Sequence, residues 1–257
     1  MAWMRFNHQG RATRGWLQDG QVQLHGGSLL DAPQPTGETL ALADVPATAW
    51  LPPCVPGKII GLWNNFRAAA AKNGWAEPAE PLYFLKSPAC ATGHEQAIPA
   101  VAPEVGRVAY EGELAVVVGR RAQRITREEA AACILGYTCA NDVTAIELLN
   151  RDPSFPQWTR AKSFDGFGAF GPTVHPQLNL ATAALRTLVG GRERQNYPLA
   201  DMFFPPEELV FRLSQDMTLE PGDVILCGTS LGVLPMKPGT VVEVAIDGLG
   251  TLRNTYG

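Results

Sequence analysis

The stretch "YEGELAVVVGR", residues 110–120, decides how the fold is read. Leu114 to Val118 is an unbroken apolar run closed by Gly119, the composition of a strand covered on both faces. Its front end carries Glu111 and Glu113, separated only by Gly112. Side chains alternate along a strand, so both carboxylates point to one side, with Cα atoms about 6–7 Å apart. Two bare carboxylates this close repel, and more strongly as water is withdrawn. Either one takes a proton, or a cation sits between them, or the pair lies at a solvated strand end, where E-x-E is common.

Outward from this strand, the chain alternates short apolar segments with turn signals. "KIIGLW" (58–63), "EPLYFLK" (80–86), "YTCANDVTA" (137–145) and "GDVILCG" (222–228) read as strands. "TVVEVAIDGLGTLRNTY" (240–256) reads as a hairpin around Asp247-Gly248. Two or three helices are expected. "NNFRAAAAKNG" (64–74) ends at Gly74, and "PPEELVFRLS" (205–214) has proline in its first turn. "TREEAAACILG" opens with a capping-box pattern, Thr126 with Glu129. Strands dominate, which predicts an α+β architecture on curved sheets rather than a doubly wound one. Residues 1–53 form a small β-rich N-terminal segment, with a hairpin signal at Asp19-Gly20 and a Pro-rich end, "WLPPCVPGK". Residues 54–257 read as one unit.

The chain has 257 residues, 46% hydrophobic and 18% charged, with a formal net charge of −4. That balance, with its basic residues dispersed, gives no reason to expect nucleic acid or an anionic membrane as partner. No apolar run approaches the length of a membrane helix, and the N-terminus lacks a signal-peptide core. The five cysteines are odd in number and show no CxxC spacing, which suits free thiols in a reducing compartment. A soluble, cytoplasmic protein is expected.

Asp142 directly follows an apolar strand, and with Glu111 and Glu113 it makes a third carboxylate. Three carboxylates without a nearby cysteine or histidine pair suit a hard divalent cation such as Mg²⁺, Mn²⁺ or Ca²⁺ better than zinc. Lys162 and Asp165, in the glycine-rich "RAKSFDGFGAFGP", form a second polar cluster. It reads either as a structural ion pair on a loop or as a lysine placed to stabilise negative charge. "CGTSLGV" (227–233) follows a strand and offers backbone N–H groups and the Thr229 and Ser230 hydroxyls, either as an anion cradle or as a plain turn.

These segments in this order resemble the fumarylacetoacetate hydrolase family. The matching stretches are "PGKIIGLWNNF", "EPLYFLKSPACATG", "YEGELAVVVGR", "GYTCANDVTA", "AKSFDGFGAFGP", "LEPGDVILCGTSLGV" and "GTVVEVAIDGLGTLRN". The resemblance is strongest to bacterial members that isomerise or decarboxylate 2-oxo-heptenedioates in aromatic-compound breakdown. It implies a mixed β-roll, a homodimer, and Mg²⁺ or Mn²⁺ held by Glu111, Glu113 and Asp142. It further implies Lys162 beside metal and substrate with Asp165 supporting it, and Thr229, Gly228 and Asn65 at the substrate. The implied substrates are 2-oxo or 2,4-dioxo acids whose carboxylate and carbonyl oxygens chelate the cation, with an enolate as shared intermediate.

The departures from the family pattern bear on the reaction. Hydrolytic members carry a histidine where this chain has Ala69, paired with a glutamate on a lid. None of the four histidines, His8, His25, His94 and His175, falls in that segment, although His94 follows the "FLKSP" strand and is a candidate neighbour of the site. Ile146 replaces a frequent arginine, and Ser230 replaces the usual proline. Activating water needs a base within hydrogen-bond reach. The expectation is therefore decarboxylation or isomerisation first, C–C hydrolysis of acylpyruvates second, and metal and 2-oxo-acid binding with little turnover third.

Overall fold

A computed structural model describes residues 1–27 and 33–257. The run quoted above is the strand Gly112–Val118, buried at every position. It is central to a sheet in which ten strands follow in spatial order: 34–41, 21–26, 11–18, 2–8, 168–175, 134–142, 112–118, 224–226, 59–63 and 82–86. An eleventh, Ala91–Thr92, lies parallel to Gly168–His175. A second sheet of five strands takes its order from Arg192–Pro198, Ala184–Val189, Thr240–Ile246, Gly250–Tyr256 and Ala97–Ile98. It packs across the central strands of the first, so Gly112–Val118 has no solvated face. This is the mixed, strand-dominated α+β fold expected.

The turn chemistry explains the hairpins. Asp19 and Gly20 both take positive φ, 49° and 75°, as a two-residue turn between right-twisted strands requires. The Arg67–Asn73 helix stops at Gly74, which adopts the left-handed conformation with φ 69°. Its first turn is capped from a distance: Asp201 Oδ2 accepts from the Ala68 N–H at 2.9 Å. The Pro206–Asp216 helix begins with proline as expected and buries Leu209, Val210 and Leu213.

The N-terminal strands form an antiparallel run joined to the main sheet where Ala2–His8 pairs with Gly168–His175. They carry a small core of their own, built from Met4, Phe6, Val22, Leu24, Val45 and Ala49. All five cysteines are free and buried. No helix among the described residues is long and apolar enough to cross a membrane.

One expected helix is absent. Glu129 does reach back to the Thr126 N–H at 2.8 Å, as a capping box would. The chain then makes only turns and a short 3₁₀ segment, Ala131–Cys133, before entering the strand Ile134–Asp142. That strand pairs on both sides, with 112–118 and with 168–175. Its ladder and burial outweigh the local helical preference of the alanines. Two short helices were not anticipated, Ile146–Leu149 and Trp158–Lys162.

Candidate active site

Glu113 lies opposite Ala140 and Gly112 opposite Asn141, so the front of one central strand meets the end of its neighbour, where Asp142 sits. Glu111, Glu113 and Asp142 thereby each bring one carboxylate oxygen within 4.8 Å of the others. Glu113 and Asp142 are fully buried. The peptide between the two glutamates is fixed on both edges. The Gly112 N–H donates to Gln195 Oε1 at 2.9 Å, and the Gly112 carbonyl accepts from the Tyr197 hydroxyl (2.6 Å) and the Thr229 hydroxyl (2.9 Å). A Cβ at Gly112 would overlap the Thr187 hydroxyl and stand 3.0 Å from Gln195 Oε1, so only glycine fits.

Two lysines enter this cluster. Lys162, at the end of the Trp158–Lys162 helix, donates to Glu111 Oε2 at 2.8 Å and to Asp142 Oδ2 at 2.6 Å. Lys86 pairs with the other Asp142 oxygen and donates to the Phe167 carbonyl at 2.9 Å. Thr144 donates to Glu111 Oε1 at 2.6 Å. Burial alone would raise the Asp142 carboxyl, but Lys162 and Lys86 together hold it below the usual range. Glu113 lacks such a partner. Burial, then the Asp142 and Glu111 charges, push it well above the usual carboxylate range, against a smaller pull from Lys162 and the Gly228 N–H. For Lys162, burial disfavours the ammonium, yet Asp142, Glu111 and Glu113 outweigh it and raise its pKa. In this arrangement Lys162 keeps its proton.

Glu113 Oε2 accepts from the Gly228 N–H at 2.8 Å, whereas Glu113 Oε1 is buried without a hydrogen-bond partner among the described residues. An orphaned carboxylate oxygen beside two others is a set of hard donors with one valence open, which fits a divalent cation. Gly228 holds φ +89°, and a Cβ there would stand 3.3 Å from the Leu62 carbonyl and 3.2 Å from Asn65 Cβ.

A cavity of about 380 Å³ opens from the cluster. Glu111, Lys162, Thr144, Thr229 and Ser230 line its polar end; Leu62, Trp63, Trp75, Phe84, Leu149 and Trp158 line an apolar wall. Phe84 stacks on Trp158 at 5.1 Å between ring centroids, and Trp63 meets Trp75 at 4.9 Å. Ala69 faces the cavity, as do Lys72 and Asn73 from the same helix, and among the described residues no histidine lines it.

Several expected residues take other places. Asp165 is exposed and does not pair with Lys162, whose partners are Glu111 and Asp142; nearness in sequence was a poor guide because Lys162 points back into the sheet. Asn65 is buried outside the cavity lining. It donates to the Phe204 (3.1 Å) and Cys227 (2.8 Å) carbonyls and accepts from the Phe204 N–H (2.9 Å), so it clamps the Gly228 turn instead of facing a ligand. The Thr229 proton is committed to Gly112, and its oxygen also accepts from Gln195 Nε2 at 2.9 Å. Ser230 is different: its hydroxyl is buried, and among the described residues it has no partner; the residue lines the cavity. His94 lies outside the cavity, accepting the Arg253 N–H at 3.1 Å against the Trp50 ring. Lys86 was not foreseen. Its signal was a lysine in phase with Phe84 on an apolar strand.

Two family models cover most of the chain. The model described as fumarylacetoacetate (FAA) hydrolase C-terminal matches residues 58–256, and the one described as Rv2993c-like, N-terminal, matches residues 1–53. The chain belongs to the fumarylacetoacetate hydrolase family. It is 37% identical over 211 residues to the oxaloacetate tautomerase YisK of Bacillus subtilis, covering 77% of this chain and 69% of that one. It is 35% identical over 202 residues to the 4-hydroxyphenylacetate degradation bifunctional isomerase/decarboxylase of Salmonella dublin, covering 77% of this chain and 46% of that one. The crystal structure of 2-hydroxyhepta-2,4-diene-1,7-dioate isomerase from Mycobacterium marinum superposes with a TM-score of 0.89 at 32% identity, covering 100% of this chain and 98% of that one. Named relatives in this family are thus enzymes of isomerase, decarboxylase and tautomerase type.

Proposed function

We propose that this protein is a divalent-metal-dependent enzyme that isomerises or decarboxylates a 2-oxo acid of the 2-oxo-heptenedioate type. Glu111, Glu113 and Asp142 would hold the cation, Mg²⁺ or Mn²⁺. When bound, it supplies Lewis acidity to the carboxylate and 2-oxo oxygens of a chelating substrate. Lys162 keeps its proton beside Glu111 and Asp142 and would offer positive charge where negative charge develops. Ser230 supplies the free hydroxyl of the 227–233 turn, a donor that Thr229 cannot supply while it is bound to Gly112. The Trp63, Phe84 and Trp158 rings exclude water from the substrate chain.

The observation that carries the choice of reaction is Ala69. It faces the cavity at the place where hydrolytic relatives are expected to carry a histidine, and no other histidine lines the cavity. Without a base to activate water, relocation of a proton or loss of CO₂ is favoured over hydrolysis. The test is incubation of the Mg²⁺-loaded protein with oxaloacetate, acylpyruvates and 2-hydroxyhepta-2,4-diene-1,7-dioate. CO₂ release or an isomerised dienoate is expected. Rapid formation of a second carboxylic acid from an acylpyruvate would overturn the choice in favour of C–C hydrolysis. Binding of 2-oxo acids with no change in any of them would overturn the enzyme reading.

A further inference from the structure

The cavity has a second charged wall. Among the described residues, three charged side chains line it: Glu111, Lys162 and Lys72. Glu111 and Lys162 are paired with each other. Lys72 makes no ion pair or hydrogen bond among the described residues. It sits one helical turn beyond Ala69 on the Arg67–Asn73 helix, so the i, i+3, i+4 face that carries Ala69, Lys72 and Asn73 is the face turned to the cavity. The last turn of a helix favours a cation on any face. That preference explains the lysine, but not its orientation towards the cavity. Ring contacts run from one lysine towards the other: Phe84, 5.0 Å from Lys162 Nζ, stacks on Trp158, Trp158 meets Trp63 at 6.3 Å, and Trp63 meets Trp75 at the exit of the helix that carries Lys72; their flat faces suit an unsaturated carbon chain and offer it no polar partner.

We propose that Lys72 recognises a second carboxylate at the far end of the substrate, making it the residue by which the cavity prefers 2-oxo dicarboxylic acids to monocarboxylic acids of the same length. The proposal rests on the reading that the carboxylate cluster and its cation take the 2-oxo end. In this assignment Lys72 is a specificity residue that acts on binding of one ligand class and leaves the other alone. Because Lys72 is exposed, the attraction is moderate and screened by salt.

The experiment is calorimetric titration of the full-length, Mg²⁺-loaded protein with 2-oxoheptanedioate and 2-oxoheptanoate, in wild type, Lys72→Met and Lys72→Arg. The wild type should favour the dioate by about fivefold, the scale of one exposed ion pair. Lys72→Met should remove that preference by weakening the dioate alone, Lys72→Arg should retain it, and 0.5 M NaCl should shrink it. An unchanged preference in Lys72→Met, or equal weakening of both ligands, would overturn the assignment. Mg²⁺-dependent binding of both acids without preference sinks only the role of Lys72. Binding of neither acid, with or without Mg²⁺, sinks the underlying 2-oxo-acid reading as well.

Discussion

The two ends of the cavity are built in opposite ways. At the carboxylate end, every side chain stands on or against a central strand. Gly112 is held by three side chains, Asp142 by two lysines and Glu111 by Lys162 and Thr144. At the other end, Lys72, Asn73 and Trp75 belong to a seven-residue helix and its exit, all exposed. The first end is over-determined, as preorganised chemistry requires. The second is adaptable, which suits the selection of a substrate's tail. Substitutions should therefore separate cleanly: large effects on folding and metal at one end, small effects on selectivity at the other.

The largest effect is expected from Lys86→Met. It removes one of two cations from a fully buried carboxylate and should cost about 3–5 kcal/mol in urea unfolding of the metal-free protein. A cost below 1 kcal/mol would show that Lys162 alone neutralises Asp142. Gly112→Ala should follow, at about 1–3 kcal/mol, because the added methyl displaces Thr187 and Gln195. It should also weaken Mg²⁺ binding through both flanking glutamates, measured by equilibrium dialysis. Unaltered Mg²⁺ binding would mean that the peptide clamp does not set their geometry.

Glu113→Gln sharpens the comparison through its sign. Folding raises the Glu113 pKa, so the native state retains a proton that the unfolded state gives up. Stability of the metal-free wild type should therefore fall as pH rises from about 4.5 through that raised value. Asp142 acts oppositely. Its lowered pKa gives stability that is present above about 3.8 and is lost on further acidification. In Glu113→Gln the first slope should vanish and the metal-free midpoint at pH 8 should rise, while Mg²⁺ affinity falls by more than about tenfold. A variant less stable than wild type at pH 8 would contradict the buried-charge account. The smallest effect belongs to Trp75→Ala. Trp75 is 40% exposed, so stability should change by less than about 1 kcal/mol, with weaker substrate binding and unchanged Mg²⁺ affinity.

Legibility in the sequence followed the same division. The Gly112–Val118 strand was readable because a five-residue apolar run with two in-phase glutamates has few other meanings. The turns at Asp19-Gly20 and Gly74 were readable because positive φ restricts the residue types. Lys86 was not, because period-two alternation places it with Phe84 but cannot say which face is inward. Asp165 misled for a related reason: it is three residues from Lys162 in sequence, yet the helix end sends the lysine into the sheet and leaves the aspartate at the surface. Asn65 has the chemistry of a ligand contact, and only the positions of the Phe204 and Cys227 carbonyls show that its hydrogen bonds are spent. The alanine run after Thr126 has helical propensity that two flanking strands override.

The position of Lys162 has a consequence for how the protein matures. With Lys86 it sets two positive charges against Asp142 and Glu111, so the polypeptide carries its own counter-charge and is expected to complete its fold without an ion. A divalent cation held by these carboxylates would then take the place of positive charge already there. A chelator should strip the protein of its metal and leave a folded, reloadable chain.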